Sequence, residues 1–259
     1  ANALGGAGGP LAVLIIAIVA SELGKAVSKE TRVDILVTPL VTIFSGVGLS
    51  MLIAAPIGAA ASQVGTLIMW ATEQAPLVMG ILVSVIVGVA LTLPISSAAI
   101  CAALGLTGLA GGAAVAGCCA QMIGFAVMSY KENGVGGLVS QGLGTSMLQM
   151  GNIVKNPRIW IAPTLASAIT GPLATCVFHF EMNGAAVSSG MGTCGLVGQI
   201  GVYTGWVSDI AAGTKAAITP MDWAAMVLLC FVLPAVLSVI FCEIERKLGW
   251  IKEGYLKLN

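Results

Sequence analysis

Polar side chains that could bind a small molecule are concentrated in one glycine-rich stretch, residues 179–206. A histidine, a glutamate and an asparagine open this stretch, and hydroxyl and amide side chains follow among seven glycines. The candidate binding residues are His179, Glu181, Asn183, Ser188, Ser189, Thr193 and Gln199. Such a mixture of hydrogen-bond donors and acceptors suits a hydroxyl-rich or otherwise polar small molecule. We predict that Glu181 is the main determinant of binding and that His179 orients or protonates nearby groups.

Other chemistries fit the sequence poorly. A hydrolase would need a serine or cysteine nucleophile placed near His179, but the chain has no G-x-S-x-G motif. The runs GLGTS and GMGTCG lack the lysine that follows the glycines of a phosphate-binding P-loop. The seven cysteines show no C-x-x-C spacing and have a single histidine as partner, which argues against a zinc site or a disulfide framework. We predict no catalytic residue, no metal site and no cofactor.

The composition indicates a membrane protein. The chain is 58% hydrophobic and only 8% charged, with a mean hydropathy of +1.01, whereas soluble proteins carry roughly 25% charged residues. The eleven basic and eleven acidic residues cancel, so no excess of positive charge attracts nucleic acid. The predicted fold class is an all-α, polytopic integral membrane protein that is surrounded by lipid.

Hydrophobic runs of about 20 residues are long enough to cross a bilayer as helices. The sequence predicts about seven crossings, at residues 11–25, 35–61, 77–93, 95–106, 109–130, 159–180 and 224–242. Residues 62–74 are expected at the outer surface, and residues 134–156 are expected to form an interfacial helix at the inner surface. The positive-inside rule places the basic cluster Lys25, Lys29 and Arg32, residues 131–158 and the C-terminal tail in the cytoplasm. Lys215 is the one exception.

Two irregular segments, residues 94–112 and 183–205, interrupt the apolar pattern with proline and glycine. The first contains Ser96 and Ser97, which we add to the candidate binding residues. Non-helical backbone is tolerated at membrane depth only where protein buries it or a wet cavity receives it, and paired broken segments mark the solute sites of transporters. We therefore predict a re-entrant loop at the second segment, with an ordinary loop outside the membrane as the alternative. The whole chain, residues 1–259, is predicted to be one transmembrane transport domain.

A small-residue helix face extends from Gly108 to Gly117. Such a face lets two helix backbones approach closely in lipid. It could join two subunits or pack within a single subunit. We expect a homodimer.

Several runs of the sequence resemble a known family. They are TRVDILVTPLVTIFSGVGLSMLIAAPIGA, LPISSAAICAALGLTGLAGGAA, NPRIWIAPTLASAITGP and GMGTCGLVGQIG. They resemble the enzyme IIC-like membrane proteins of the bacterial phosphotransferase system, and most closely the subgroup that includes the perfringolysin regulatory protein. The resemblance implies a homodimeric, multi-pass permease of the bacterial inner membrane, in which re-entrant segments and a carboxylate hold a sugar. It also implies an N-terminal region longer than the one in this sequence, so that the chain is truncated or processed.

The expected function is that of a solute-translocating, IIC-like subunit for a sugar or another small polar solute. By itself such a subunit is not expected to be an enzyme, and phosphorylation would need separate IIB and IIA phosphocarrier proteins. The alternative is a membrane-embedded sensor or regulator that binds the solute without moving it.

Overall fold

The computed structural model describes residues 9–29 and 33–258, and its regular elements are helices. The α-helices in this part of the chain are α1 (Gly9–Val27), α2 (Asp34–Gln74), α3 (Pro76–Thr92), α4 (Ser97–Leu104), α5 (Gly108–Met128), α6 (Tyr130–Val139), α7 (Met150–Lys155), α8 (Ile161–Pro172), α9 (Val197–Ala211), α10 (Pro220–Val227) and α11 (Leu233–Lys247). Turns of π-helix lie at Ser140–Gly144, Leu173–Val177 and Leu228–Val232, and 3-10 turns at Ser146–Gln149, Pro157–Trp160, Ala186–Gly190 and Cys194–Leu196. The predicted all-α architecture is confirmed. Arg32, from the first predicted basic cluster, lies outside the described residues.

The helices include membrane-spanning candidates. Four stretches among the described residues are long and apolar enough to cross a bilayer: Asp34–Gln74, Gly108–Met128, Pro157–Val177 and Pro220–Lys247. The apolar helix α3 is shorter, with 17 residues. The predicted crossing at residues 95–106 corresponds to α4, whose eight residues rise about 12 Å against a hydrocarbon core of roughly 30 Å. The polytopic membrane character is confirmed, whereas the count of about seven crossings stays a prediction.

Helix α2 is longer than the sequence predicted. It continues for 41 residues through Pro39 and Pro56, so residues 62–74 extend this helix and do not form a separate surface segment. Proline removes only one hydrogen bond of a helix, and neighbouring turns can hold the helix together. The described chain divides into two compact units, and the first comprises the chain up to Thr66 with residues 102–104. Within it, α1 and α2 approach closely, because a Cβ added at Gly24 would overlap Thr42.

The second unit is built around α5. Most residues of this helix are buried, and α3, α8 and α11 pack against it. Glycines bring the backbones together: a Cβ at Gly117 would overlap the Ser84 carbonyl of α3, and a Cβ at Gly112 would overlap the Phe180 carbonyl that follows α8. The small-residue face of α5 therefore packs within the subunit, which is the second of the two roles considered for it, and a homodimer would need another surface.

Serine hydroxyls add hydrogen bonds between helices α3, α5 and α8. The Ser84 hydroxyl donates a hydrogen bond to the Ser167 carbonyl of α8 over 2.8 Å, and the Ser167 hydroxyl donates to the Gly117 carbonyl over 3.3 Å. These small side chains satisfy polar groups without separating the backbones, which is the way polar residues join helices in lipid. The contact fixes α3, α5 and α8 relative to one another.

The two irregular segments meet beside the first turn of α5. Gly108 and Met182 exchange backbone hydrogen bonds of 3.0 Å in both directions. The Ser97 hydroxyl donates to the Gly190 carbonyl over 2.6 Å. Because two breaks that are distant in the chain hold each other, their non-helical backbone has partners inside the protein.

The segment 134–156 folds as short helical pieces and not as one interfacial helix. Gly134 has a φ of +58°, a conformation that interrupts a right-handed helix. The amides of Gln141, Gln149 and Asn152 form a chain of hydrogen bonds: Gln149 donates to Gln141 over 2.9 Å, and Asn152 donates to Gln149 over 2.8 Å. Gln149 also donates to the Leu256 carbonyl over 2.9 Å. This segment therefore holds the C-terminal tail.

The second unit has two chemically different ends. Helix α5 has 21 residues and is about 32 Å long, so its Gly108 end and its Met128 end lie a bilayer thickness apart. The Met128 end carries the Lys131–Glu243 ion pair of 2.8 Å and the C-terminal tail. Seven of the eight basic residues after Thr66 belong to this end: Lys131, Lys155, Arg158, Arg246, Lys247, Lys252 and Lys257.

This asymmetry predicts which end faces the cytoplasm. By the positive-inside rule the Met128 end is cytoplasmic and the Gly108 end is external. Lys252→Cys should react with a membrane-impermeant maleimide only after cells are opened, whereas Thr214→Cys, at the opposite end, should react in intact cells. The unsubstituted chain measures the background from the native cysteines. Labelling of Lys252→Cys in intact cells would contradict the orientation.

Candidate functional site

A cavity of about 590 Å³ lies at the Gly108 end of the second unit, and we call it the Asp209 cavity. Its walls come from the chain after α8, from α9, from the loop after α9 and from α10. The lining residues are Val177, Phe178, His179, Phe180, Glu181, Asn183, Trp206, Asp209, Thr214, Lys215, Thr219, Met221, Asp222 and Ala225. Three predicted binding residues, His179, Glu181 and Asn183, are therefore brought together on one wall.

The end of α8 positions this wall. The π turn Leu173–Val177 follows α8, and His179 then adopts a left-handed φ of +44°. The Phe180 N–H donates back to the Ala174 carbonyl over 2.8 Å, which resembles the closing hydrogen bond of a helix end with a left-handed residue. The chain reverses at His179, and Glu181 and Asn183 follow along the cavity. The side chains of His179 and Glu181 are exposed to solvent.

Asn183 connects two of the three carboxylates of the cavity, Glu181 and Asp209. Its Nδ2 donates to Glu181 Oε2 over 3.1 Å and to Asp209 Oδ2 over 2.9 Å, while its Oδ1 accepts from the Gly108 N–H over 3.2 Å. Both amide hydrogens are then used. Among the described residues, no donor contacts Glu181 Oε1 or Asp209 Oδ1, so each carboxylate keeps one oxygen that can accept a hydrogen bond from a bound molecule.

Another part of the cavity lining contains an ion pair beside aromatic rings. Lys215 Nζ lies 2.7 Å from Asp222 Oδ1 and 5.4 Å from the centre of the Trp206 ring. Asp222 also accepts from the Thr219 N–H and hydroxyl, over 2.7 and 2.9 Å, at the start of α10. Trp206 packs edge-on against Trp223, with ring centres 5.6 Å apart. Lys215, the predicted exception to the sidedness rule, is thus compensated by a carboxylate.

The other six predicted residues are not in the wall of the Asp209 cavity: Ser96, Ser97, Ser188, Ser189, Thr193 and Gln199. Three of their hydroxyls donate to backbone carbonyls elsewhere in the unit. Besides the bond from Ser97, Ser189 donates to Leu106 over 2.7 Å, and Thr193 donates to Gly142 over 2.5 Å. These bonds hold the irregular segments in place.

Ser96, Ser188 and Gln199 have different surroundings. Ser96 is exposed, and its hydroxyl accepts from the Ala99 N–H over 3.1 Å at the start of α4. Ser188 is buried beside Gly201, where a Cβ would overlap its side chain. Gln199 donates to the Cys119 sulfur over 3.3 Å, and its buried Oε1 has no partner among the described residues.

The chain matches the family described as "Phosphotransferase system, EIIC" over residues 1–258. It belongs to this family. No curated protein and no solved structure matched the sequence. As an EIIC protein, the chain is the multi-pass membrane subunit of a phosphotransferase-system transporter. Its assignment to the subgroup of the perfringolysin regulatory protein stays a prediction.

Asp209, Lys215 and Asp222 were not predicted as cavity residues of this EIIC protein. They follow the glycine-rich stretch in the sequence, in a mixed segment that resembles an ordinary external loop. One signal could have identified Lys215 and Asp222: Lys215 is a lone basic residue on the side with few charges, and Asp222 lies seven positions after it.

The packing of the glycine-rich loop predicts unequal effects of two similar substitutions. Gly192 and Gly195 both have left-handed φ values, +52° and +54°. An added Cβ at Gly192 would lie 2.7–2.9 Å from atoms of Cys118 and Cys119, whereas at Gly195 it would meet only Val197 at 3.8 Å.

Both alanine variants should lose about 1–2 kcal/mol through the left-handed backbone, and Gly192→Ala should lose about 1–3 kcal/mol more through overpacking. Thermal unfolding of the two variants in the same detergent measures the difference. Equal unfolding temperatures would contradict the close packing of Gly192 on α5.

Proposed function

We propose that this EIIC protein translocates a sugar or a similarly polar small solute and that the Asp209 cavity is the solute site. One observation carries the proposal: Asn183 holds the two carboxylates of Glu181 and Asp209 so that each retains an unused acceptor oxygen. Sugar hydroxyls are good donors to carboxylates, and hydrogen bonds to a charged group contribute roughly 1.5–3 kcal/mol each. The mixture of hydrogen-bond donors and acceptors in the lining and the volume of about 590 Å³ both suit a small polar molecule such as a sugar.

The rest of the cavity would supply complementary contacts. Phe178 and Trp206 give apolar ring surfaces on which the C–H face of a sugar can pack. Lys215 is a charged donor for a ligand oxygen, although a ligand must share it with Asp222. His179 can donate or accept at the wall. In this proposal, six of the predicted residues support the loops and do not contact the solute in this state: Ser96, Ser97, Ser188, Ser189, Thr193 and Gln199.

Translocation requires the helices beneath the cavity to move. Gly112 of α5 lies in backbone contact with Phe180, and Gly117 with Ser84 of α3, which leaves no room for a solute along α5. A transporter of this kind exposes its site to one side at a time. We propose that the structure represents the state open at the external end, and that a homodimer and separate IIB and IIA proteins complete the transporter.

An uptake measurement tests the function. Purified protein in sealed lipid vesicles should exchange a radiolabelled sugar over many turnovers when unlabelled sugar is trapped inside. A sensor would instead bind the label in proportion to the amount of protein and then saturate. Vesicles without the protein provide the background. Stoichiometric binding without exchange, for a sugar that raises the melting temperature of the protein by mass action, would replace the permease with the sensor.

The carboxylate contacts predict the effect of one substitution on affinity. Glu181→Gln keeps the size of the side chain but removes the charge that strengthens its hydrogen bonds. The dissociation constant for the sugar should rise on the order of ten- to a hundredfold, at about 1.4 kcal/mol per decade. Isothermal titration measures it. The matched control is Glu253→Gln, an exposed carboxylate at the opposite end, which should bind as the unsubstituted chain does. Equal constants for Glu181→Gln and the unsubstituted chain would remove Glu181 from the site.

A further inference from the structure

A second cavity lies at the Met128 end, between the segment around α7 and the C-terminal tail. We call it the tail cavity. It has a volume of about 600 Å³ and is lined by Asn152, Lys155, Asn156, Arg158, Gly249, Trp250, Lys252, Gly254, Tyr255 and Lys257. Four of these ten residues are cations and none is an acid. The proposed transport function uses none of them.

Among the described residues, the cations of the tail cavity lack the ion pairs that Lys131 and Arg246 form at the same end. Lys131 pairs with Glu243, and Arg246 pairs with Glu132 over 3.1 Å. In the described part of the chain, Lys155, Arg158, Lys252 and Lys257 form no ion pair. Glu253 is adjacent in sequence to Lys252 but does not line the cavity.

Hydrogen bonds fix the walls that carry these charges. Asn152 donates to the Lys257 carbonyl over 3.0 Å, and Asn156 donates to the Trp250 carbonyl over 3.2 Å. The Arg158 guanidinium lies 5.6 Å from the centre of the Trp250 ring. The fold therefore holds four like charges around one space, although their mutual repulsion opposes this arrangement. A bound anion would relieve the repulsion.

We propose that the tail cavity binds the phosphate group of a phosphate-bearing molecule. A phosphate group has several acceptor oxygens and a negative charge, and arginine and lysine are its usual partners in proteins. Asn156 adds one neutral donor, because only one of its two amide hydrogens is used by the Trp250 carbonyl. The cavity is larger than a phosphate ion needs, and Trp250 and Tyr255 offer apolar surface for the remainder of the molecule. Both a soluble phosphate ester and the headgroup of an anionic lipid have this chemistry.

The test separates the two sources of phosphate and does not depend on transport. The full chain is placed in phosphatidylcholine nanodiscs, and its melting temperature is measured with sodium phosphate and with sodium chloride at equal ionic strength. A second set of nanodiscs contains phosphatidylglycerol without added phosphate. The test variant is Lys155→Gln with Lys252→Gln, and the control variant is Lys247→Gln, which removes a cation outside the cavity.

We expect phosphate or phosphatidylglycerol to raise the melting temperature of the unsubstituted chain and of the control by mass action. In the test variant the dissociation constant should rise about tenfold or more for each charged hydrogen bond that the substitutions remove. A rise in melting temperature with phosphate supports a soluble ester, and a rise only with phosphatidylglycerol supports a lipid. No rise in either set, or the same rise in the test variant, would overturn the proposal.

The stability of the test variant without ligand provides a second check. Because the substitutions remove like charges, the variant should unfold at no lower temperature than the unsubstituted chain in phosphatidylcholine with chloride. If the double variant does not fold, Lys252→Gln alone, at an exposed position, takes its place with the same expected decrease of phosphate affinity. Undiminished affinity in that variant would count against the site.

Discussion

Helix α5 meets its neighbours through backbone atoms, and the second unit depends on this contact. Gly117 leaves the space that the Ser84 carbonyl of α3 occupies, and Gly112 leaves the space for the Phe180 carbonyl. In lipid there is little hydrophobic gain when two helices associate, so close backbone approach and small hydroxyl bridges supply much of the attraction. Larger side chains along α5 would separate the helices and weaken every contact that follows from their spacing.

The same contact places part of the wall of the Asp209 cavity. Because Phe180 is held against Gly112, and Met182 is paired with Gly108, the intervening Glu181 has a defined position in the lining of the Asp209 cavity. Asn183 then links this wall to Asp209 on α9. The chain after α8, which packs against α5, thus lines part of the cavity, and α9, α10 and their connecting loop line the rest.

Composition and local pattern were sufficient for the helical membrane fold and for part of the cavity wall. His179, Glu181 and Asn183 lie close together in the sequence, so a local pattern could group them. Asp209 and Asp222 reach the cavity only through the packing of α9 and α10, which no local pattern specifies. The hydroxyls of Ser97, Ser189 and Thr193 donate to backbone carbonyls of distant segments, because non-helical backbone exposes carbonyls that need donors of their own. These partners also depend on packing that no local pattern specifies. Likewise, the predicted separation of residues 62–74 from the crossing at residues 35–61 was wrong, because the polar residues that begin this stretch can continue a helix, which here reaches Gln74.

The π turn at Leu173–Val177 makes the cavity sensitive to the length of the chain. A π turn contains one more residue than an α turn would, and one residue rotates everything after it by about 100° around the helix axis. If this extra residue were removed, the chain would leave α8 in a different direction, and Phe180 would no longer face Gly112. This wall of the cavity is therefore fixed by the number of residues between α8 and His179 as firmly as by their identity. Neutral drift can change side chains there more freely than it can add or remove a position.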